Sequence, residues 1–189
     1  MFVIALCPEY LKYMSDFIRK GLRILLVGGS LLLLGSCSTG SETVLTGLLR
    51  RSPDPSLTPQ QVVAIQLEAF RNNDEEDRGI EVAFRFASPE NRAITGPVPR
   101  FADMMRGGPY RIMLEYDSIL YAPLVRDGDV AVQRVALTMG EVTVVYDFVL
   151  RRQSSGLYED CWMTEGVQVI PLPRERNTPR LEMQEPLSV

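Results

Sequence analysis

The residue types able to do chemistry in this chain exclude more than they suggest. Its 189 residues contain no histidine, and both lysines, Lys12 and Lys20, lie near the N-terminus. From residue 37 onward every basic residue is arginine, which stays protonated and cannot serve as an amine nucleophile. Imidazole bases, Schiff-base lysines, the phosphate-loop lysine and His-ligated metals are therefore excluded together from that part of the chain. Asp, Glu, Tyr, Ser, Thr and Cys161 remain.

Two of these make suggestive neighbours. Tyr116-Asp117 and Tyr146-Asp147 each set a carboxylate beside a phenol, and burial of such a pair inside a pocket would tune it for acid–base work. Strand alternation, however, turns Asp147 away from the Val144/Tyr146 row and makes it a surface or sheet-edge residue. Glu75-Glu76-Asp77 reads as a solvated acidic cluster at a helix N-terminus rather than a metal site. Cys161, beside Trp162 and with no base to activate it, reads as a buried inert thiol. Gly107-Gly108 is a turn, because no phosphate-cradling pattern follows a strand there. No catalytic, cofactor-binding or metal-ligating residue is assigned, and no cofactor is expected.

Composition bounds the rest. With 46% hydrophobic and 23% charged residues, the chain has globular composition, and its length suits one domain. Of its 20 basic and 24 acidic residues, four and two precede Cys37, leaving 16 arginines against 22 carboxylates, a balance of −6. A negative domain lacks the field that displaces phosphate counterions, so general nucleic-acid binding is not expected.

The N-terminal region has its own logic. A short basic stretch precedes the apolar run 24–35, which as a helix would span about 18 Å against a hydrocarbon core of about 30 Å. That layout is a secretory signal rather than a transmembrane helix. Leu34-Gly35-Ser36-Cys37 resembles the lipobox of bacterial lipoproteins: an aliphatic residue, two small residues and the Cys that becomes acylated. The resemblance implies a signal segment over 1–36, with Met14 the more natural start, and lipidation (palmitate included) at Cys37. It also implies a location in the cell envelope, lipid-anchored to a membrane and facing the periplasm or exterior.

Residues 37–57, rich in Ser, Thr, Gly and Pro, are expected as a tether. Thr58-Pro59-Gln60-Gln61 is a helix start with a capping-box pattern. Apolar spacing carries that helix to about Arg71, with Val63, Gln66 and Phe70 in one row. A second helix is expected from about Glu75 or Gly79 to Phe86, and a short one over 101–105. Four strands then follow, 110–124, 130–139, 142–152 and 157–170, separated by turn signals. Short connections force antiparallel neighbours. In the third strand Val142, Val144, Tyr146, Phe148 and Leu150 form an apolar row facing the helices. The expected fold is α+β: two to three N-terminal helices on a curved four-stranded antiparallel sheet, cone-like, over 58–171, with a disordered tail over 172–189.

Helices followed by a curved sheet, with Thr58-Pro59-Gln60-Gln61-Val62-Val63, Ala83 through Asn91, Phe101-Ala102-Asp103-Met104-Met105 and Cys161-Trp162, resemble an uncharacterised domain of the nuclear transport factor 2-like (cystatin-like) superfamily. The resemblance implies a pocket between helices and concave sheet, with Phe70, Phe84, Phe86, Met104, Met105, Tyr146 and Phe148 as candidate lining. It also implies dimerisation through the sheet as a common use of the fold. The function expected is a membrane-anchored envelope lipoprotein, a non-catalytic module that binds a protein partner or a small apolar ligand. The alternative is a lyase or isomerase using Asp/Tyr chemistry in the cone.

Overall fold

A computed structural model describes residues 39–171, with side chains from Thr43 onward. The signal segment over 1–36, the lipidation of Cys37 and the tail over 172–189 lie outside the described residues. Six α-helices come first: α1 (Thr39–Leu49), α2 (Pro59–Arg71), α3 (Arg78–Arg85), α4 (Pro89–Thr95), α5 (Val98–Arg106) and α6 (Ile112–Glu115). Five strands follow: β1 (Ser118–Tyr121), β2 (Val125–Asp127), β3 (Val130–Met139), β4 (Val142–Arg152) and β5 (Trp162–Ile170). The sheet is open and antiparallel, ordered β1-β3-β4-β5, with β2 on the same side of β3 as β1.

The α+β class is as expected, but the described residues hold six helices rather than two to three, and five strands rather than four. The extra strand, β2, begins at Val125, in residues expected to lead into a turn, while β1 is all that remains of the segment expected as one strand over 110–124. That segment's first part is helical because its apolar residues follow helical spacing: Ile112, Met113 and Tyr116 are buried, and Arg111 pairs with Glu115 one turn on. Its second part is cut by Pro123, which has no N–H for the ladder. Gln133 bridges the break, its Nε2 donating to the carbonyls of Ala122 at 2.7 Å and Arg134 at 3.0 Å.

The extra helices have local causes too. Ser88-Pro89 starts α4, Ser88 Oγ accepting the Asn91 N–H at 3.1 Å with Pro in the first turn. Within the segment expected as a tether, Thr39–Leu49 is a helix whose Leu45 and Leu48 are buried. Arg85 holds its end, donating to the carbonyls of Leu49 at 3.1 Å and Arg51 at 2.9 Å, the groups a helix C-terminus leaves unpaired.

Other elements follow the pattern. Thr58 and Gln61 form the reciprocal capping box of α2. Strands β3 and β4 pair in register from Val130↔Arg151 to Met139↔Val142. Tyr146, Phe148 and Leu150 are buried toward the helices, while Val142 at the hairpin tip is half exposed. At Gly79, α3 crosses α2 so closely that an added Cβ would lie 2.2 Å from the Ala69 carbonyl oxygen. The loop before β5 carries a 3-10 turn over Gly156–Tyr158, which shortens the strand expected from residue 157.

One irregularity in β5 decides which of its side chains face the helices. Val149 faces Gly166 but Leu150 faces Thr164, so Glu165 is an extra residue on the β5 side. Such a bulge shifts the alternation by one. It puts Thr164, Val167 and Val169 on the same, inward face, opposite Leu150, Phe148 and Tyr146.

Candidate functional site: a cavity between helices and sheet

A cavity of about 190 Å³, partly open to solvent, lies between the helices and the β4–β5 side of the sheet. Helix α2 supplies Gln66 and Phe70, α4 supplies Asn91 and Thr95, and α5 supplies Phe101, Met104 and Met105. Tyr110 and Met113 close one side, and Phe148, Thr164, Gly166 and Val167 form the sheet wall. The apolar part is aromatic and thioether in character, with Phe70 and Phe101 rings 6.2 Å apart. Met104 is 38% exposed and Met105 only 2%.

The polar part is a chain of hydrogen bonds through Gln66, Thr164, Asn91 and Thr95, with a separate bond from Tyr110. Thr164 Oγ1 donates to Gln66 Oε1 at 2.7 Å, and both residues are buried. Gln66 Nε2 donates to the Ala83 carbonyl at 3.0 Å. Asn91 Nδ2 donates to the Thr164 carbonyl at 3.0 Å, and Thr95 Oγ1 to the Asn91 carbonyl at 2.8 Å. Tyr110 donates its phenolic proton to the Val167 carbonyl at 3.2 Å. Backbone bonds from Thr164 N–H to Phe86 and from Ser88 N–H to Thr164 pin the start of β5 to the end of α3. The bulge is what lets Thr164 reach Gln66 from the inner face.

Among the described residues lining the cavity none is charged. The Tyr-Asp neighbours fall elsewhere. Asp117 is exposed and accepts the Gly140 N–H at 2.8 Å, securing the β3–β4 hairpin. Asp147 forms a bidentate pair with Arg134 on the outer face of the sheet, both contacts at 2.7 Å. It sits on a central strand rather than an edge. Tyr116 donates to the Leu67 carbonyl at 3.3 Å, and Tyr146 to that of Pro109. Burial raises both phenols, that of Tyr146 to about 12 with Tyr110 nearby as a smaller cause. These phenols are protonated hydrogen-bond donors at neutral pH.

Of the seven residues proposed as lining, Phe70, Met104, Met105 and Phe148 border the cavity. Phe86 and Tyr146 are wholly buried in the core beside it, and Phe84 is half-buried with its ring 5.0 Å from Phe101. Sequence reasoning did not single out Gln66, Asn91, Tyr110 or Thr164. The signal for Gln66 was present, a polar residue within the inward row Val63-Gln66-Phe70. For Thr164 there was none, because the bulge that turns it inward cannot be read from alternation.

Cys161 is buried, and its thiol is raised by burial first and by the Asp54 and Asp160 carboxylates second. Asp77 of the acidic cluster is held below the usual carboxylate range, chiefly by Arg106 and despite some desolvation.

No curated protein and no solved structure matches the chain. A family model described as "Domain of unknown function (DUF4864)" matches residues 54–177, from before α2 to beyond β5. The cavity and every residue lining it fall inside that match, and the chain belongs to this family of domains.

Proposed function

We propose that the protein is an envelope lipoprotein, anchored through Cys37, whose cone-like nuclear transport factor 2-like domain binds a small apolar ligand without catalysing a reaction on it. The observation that carries the binding reading is the cavity: about 190 Å³, walled by Phe, Met and Val side chains. Mostly apolar pockets with few convergent polar groups are the common lining of small-molecule sites, and this volume, below their usual range of about 300–1,000 Å³, admits only a compact ligand. An acid–base enzyme needs carboxyl or phenol groups converging on the reacting atoms. Here the one phenol in the wall is engaged by a backbone carbonyl, and both candidate carboxylates have structural partners outside.

Native mass spectrometry of protein purified from membranes tests the binding reading. A retained small-molecule mass that is lost on Phe148→Trp, which fills the cavity, supports it. A clean apo mass, together with no thermal stabilisation by any small apolar compound, refutes it. The anchor is tested separately by palmitate labelling and globomycin treatment of cells, where a Cys37→Ala protein that still takes up label refutes it.

A second reading rests on the outer face of the sheet. Leu120 and Val125 are 55% and 60% exposed there, opposite Ala136 and Val132. They suit a face that meets a second copy of this chain. Sedimentation that shows a monomer at high concentration removes that reading.

A further inference from the structure

Resting on the small-ligand reading above, we infer that the cavity selects a neutral, compact molecule bearing one oxygen acceptor, a ketone, aldehyde, ester or amide, over hydrocarbons, carboxylates and amines of the same size. Two features carry this: the absence of charge in the described wall, and the state of its hydrogen-bond donors.

The described residues of the wall offer no counter-charge. Enclosing an ionised group at the buried Gln66 end of the cavity costs several kcal/mol unless it is paired, which disfavours carboxylates and ammonium ions alike. The aromatic rings soften this for a cation only partly.

The three hydroxyls of the wall already give their protons to protein: Thr164 to Gln66, Thr95 to the Asn91 carbonyl and Tyr110 to the Val167 carbonyl. The two amides are different. Each amide nitrogen carries two hydrogens, and Gln66 and Asn91 each commit one, to the carbonyls of Ala83 and Thr164. That leaves one N–H on Gln66 and one on Asn91 without an acceptor among the described residues. Gln66 is only 4% exposed, where an unused donor favours any ligand that supplies an oxygen. The Gln66 amide cannot turn over to present its oxygen instead, since Thr164 donates to that oxygen and Ala83 accepts from the nitrogen. At Gln66, which lines the cavity, the polarity is therefore fixed: its oxygen is taken by Thr164 and an N–H is left to donate. Size follows from the volume: a cavity of about 150 Å³ accommodates benzene, so 190 Å³ suits a six-membered ring with its carbonyl.

The test uses the methionines of the wall as reporters. Met104, Met105 and Met113 border the cavity, and their methyl resonances in ¹³C-methionine-labelled protein report its occupancy. Cyclohexanone, benzene, cyclohexanecarboxylate and cyclohexylammonium are titrated in parallel. Cyclohexanone is expected to bind about fivefold or more tightly than benzene, and tenfold or more tightly than either ion. Gln66→Met, which keeps the side-chain length, and Asn91→Ala, at a half-exposed position, should each reduce the ketone's advantage over benzene and leave benzene binding in place. Benzene binding as well as the ketone, or an ion binding equally, overturns this inference while leaving the cavity reading intact. If no probe moves any of the three methyls, both readings fall.

Discussion

The contact at Gly79 allows a test in which one substitution, Gly to Ala, is predicted to have opposite signs at two helical positions. In an ordinary helix this change stabilises by up to about 1 kcal/mol, because glycine carries the larger backbone entropy. Gly47 in α1 meets that condition, since a Cβ there finds nothing within 4 Å. Gly79 does not. Its Cβ would stand 2.2 Å from the Ala69 carbonyl oxygen and 2.8 Å from the Asn73 Cα, both backbone atoms that no rotamer change can move. Since Cβ atoms essentially never approach closer than 3.0 Å, α3 must back away from α2 by at least the 0.8 Å difference. A gap of about 0.5–1 Å forfeits a quarter to a half of the dispersion well of each contact it opens. Ile80 and Ala83 are fully buried on α3, and their contacts across that crossing are the ones opened. Overpacking of this kind costs about 1–3 kcal/mol. The shift also stretches the Asn73 Oδ1 bond to the Ile80 N–H, now 2.9 Å. With the helix gain subtracted, Gly79→Ala should lose about 2 kcal/mol, a drop in Tm of roughly 6–10 °C for a domain of this size. Gly47→Ala should be neutral or stabilising by up to about 1 kcal/mol. Urea denaturation of the two variants, with unchanged m-values, measures both. Equal stabilisation at the two positions would refute the claim that the α2–α3 crossing is fixed by backbone contact.

Three further outcomes are expected from the same geometry. Tyr146 is wholly buried with its phenol raised to about 12. A pKa raised in the folded state means stability is intact below the unfolded value near 10 and is lost as pH climbs toward 12, by about 3 kcal/mol. With no lysine after residue 20, this window is not crowded by amines, although Tyr116 and Tyr121, raised by the same cause, share it. Tyr146→Phe should therefore be weaker at pH 8, by about 1 kcal/mol for the lost bond to Pro109, yet lose less between pH 10 and 12; an unchanged alkaline slope contradicts this. Cys161 should react with an exposed-thiol reagent far more slowly in the native protein than in urea, and equal rates would show that the thiol is not buried. The Arg134–Asp147 pair, bidentate with side chains 21% and 15% exposed, should give a coupling of about 1–2 kcal/mol in a double-mutant cycle, above that of fully exposed pairs. A coupling below about 0.5 kcal/mol would make it an ordinary surface pair.

Local rules written in short stretches of sequence were sufficient for much of this domain. Thr58 and Gln61 cap the helix that their spacing announces, and the apolar row of α2 is the buried one. The expected strands 130–139 and 142–152 match β3 and β4 residue for residue, because a glycine turn separates two alternating runs whose inward row is apolar. Each of these depends on neighbours no more than a few residues apart, so periodicity and capping carry the information.

What tertiary structure decided are the contacts between distant residues. Residues 110–116 have the composition of a strand, yet burying Met113 and Tyr116 together needs a helical turn. Leu45 and Leu48 fold into a helix that composition assigned to a tether. Above all, Gln66 meets Thr164 across 98 positions of sequence. That meeting exists only because Glu165 is an extra residue opposite β4, shifting the alternation that any reading of the strand alone must assume. The chemistry of the cavity depends on that one-residue shift, and a bulge exists only as a mismatch between two paired strands, here β5 against β4, so the residues of β5 alone do not reveal it.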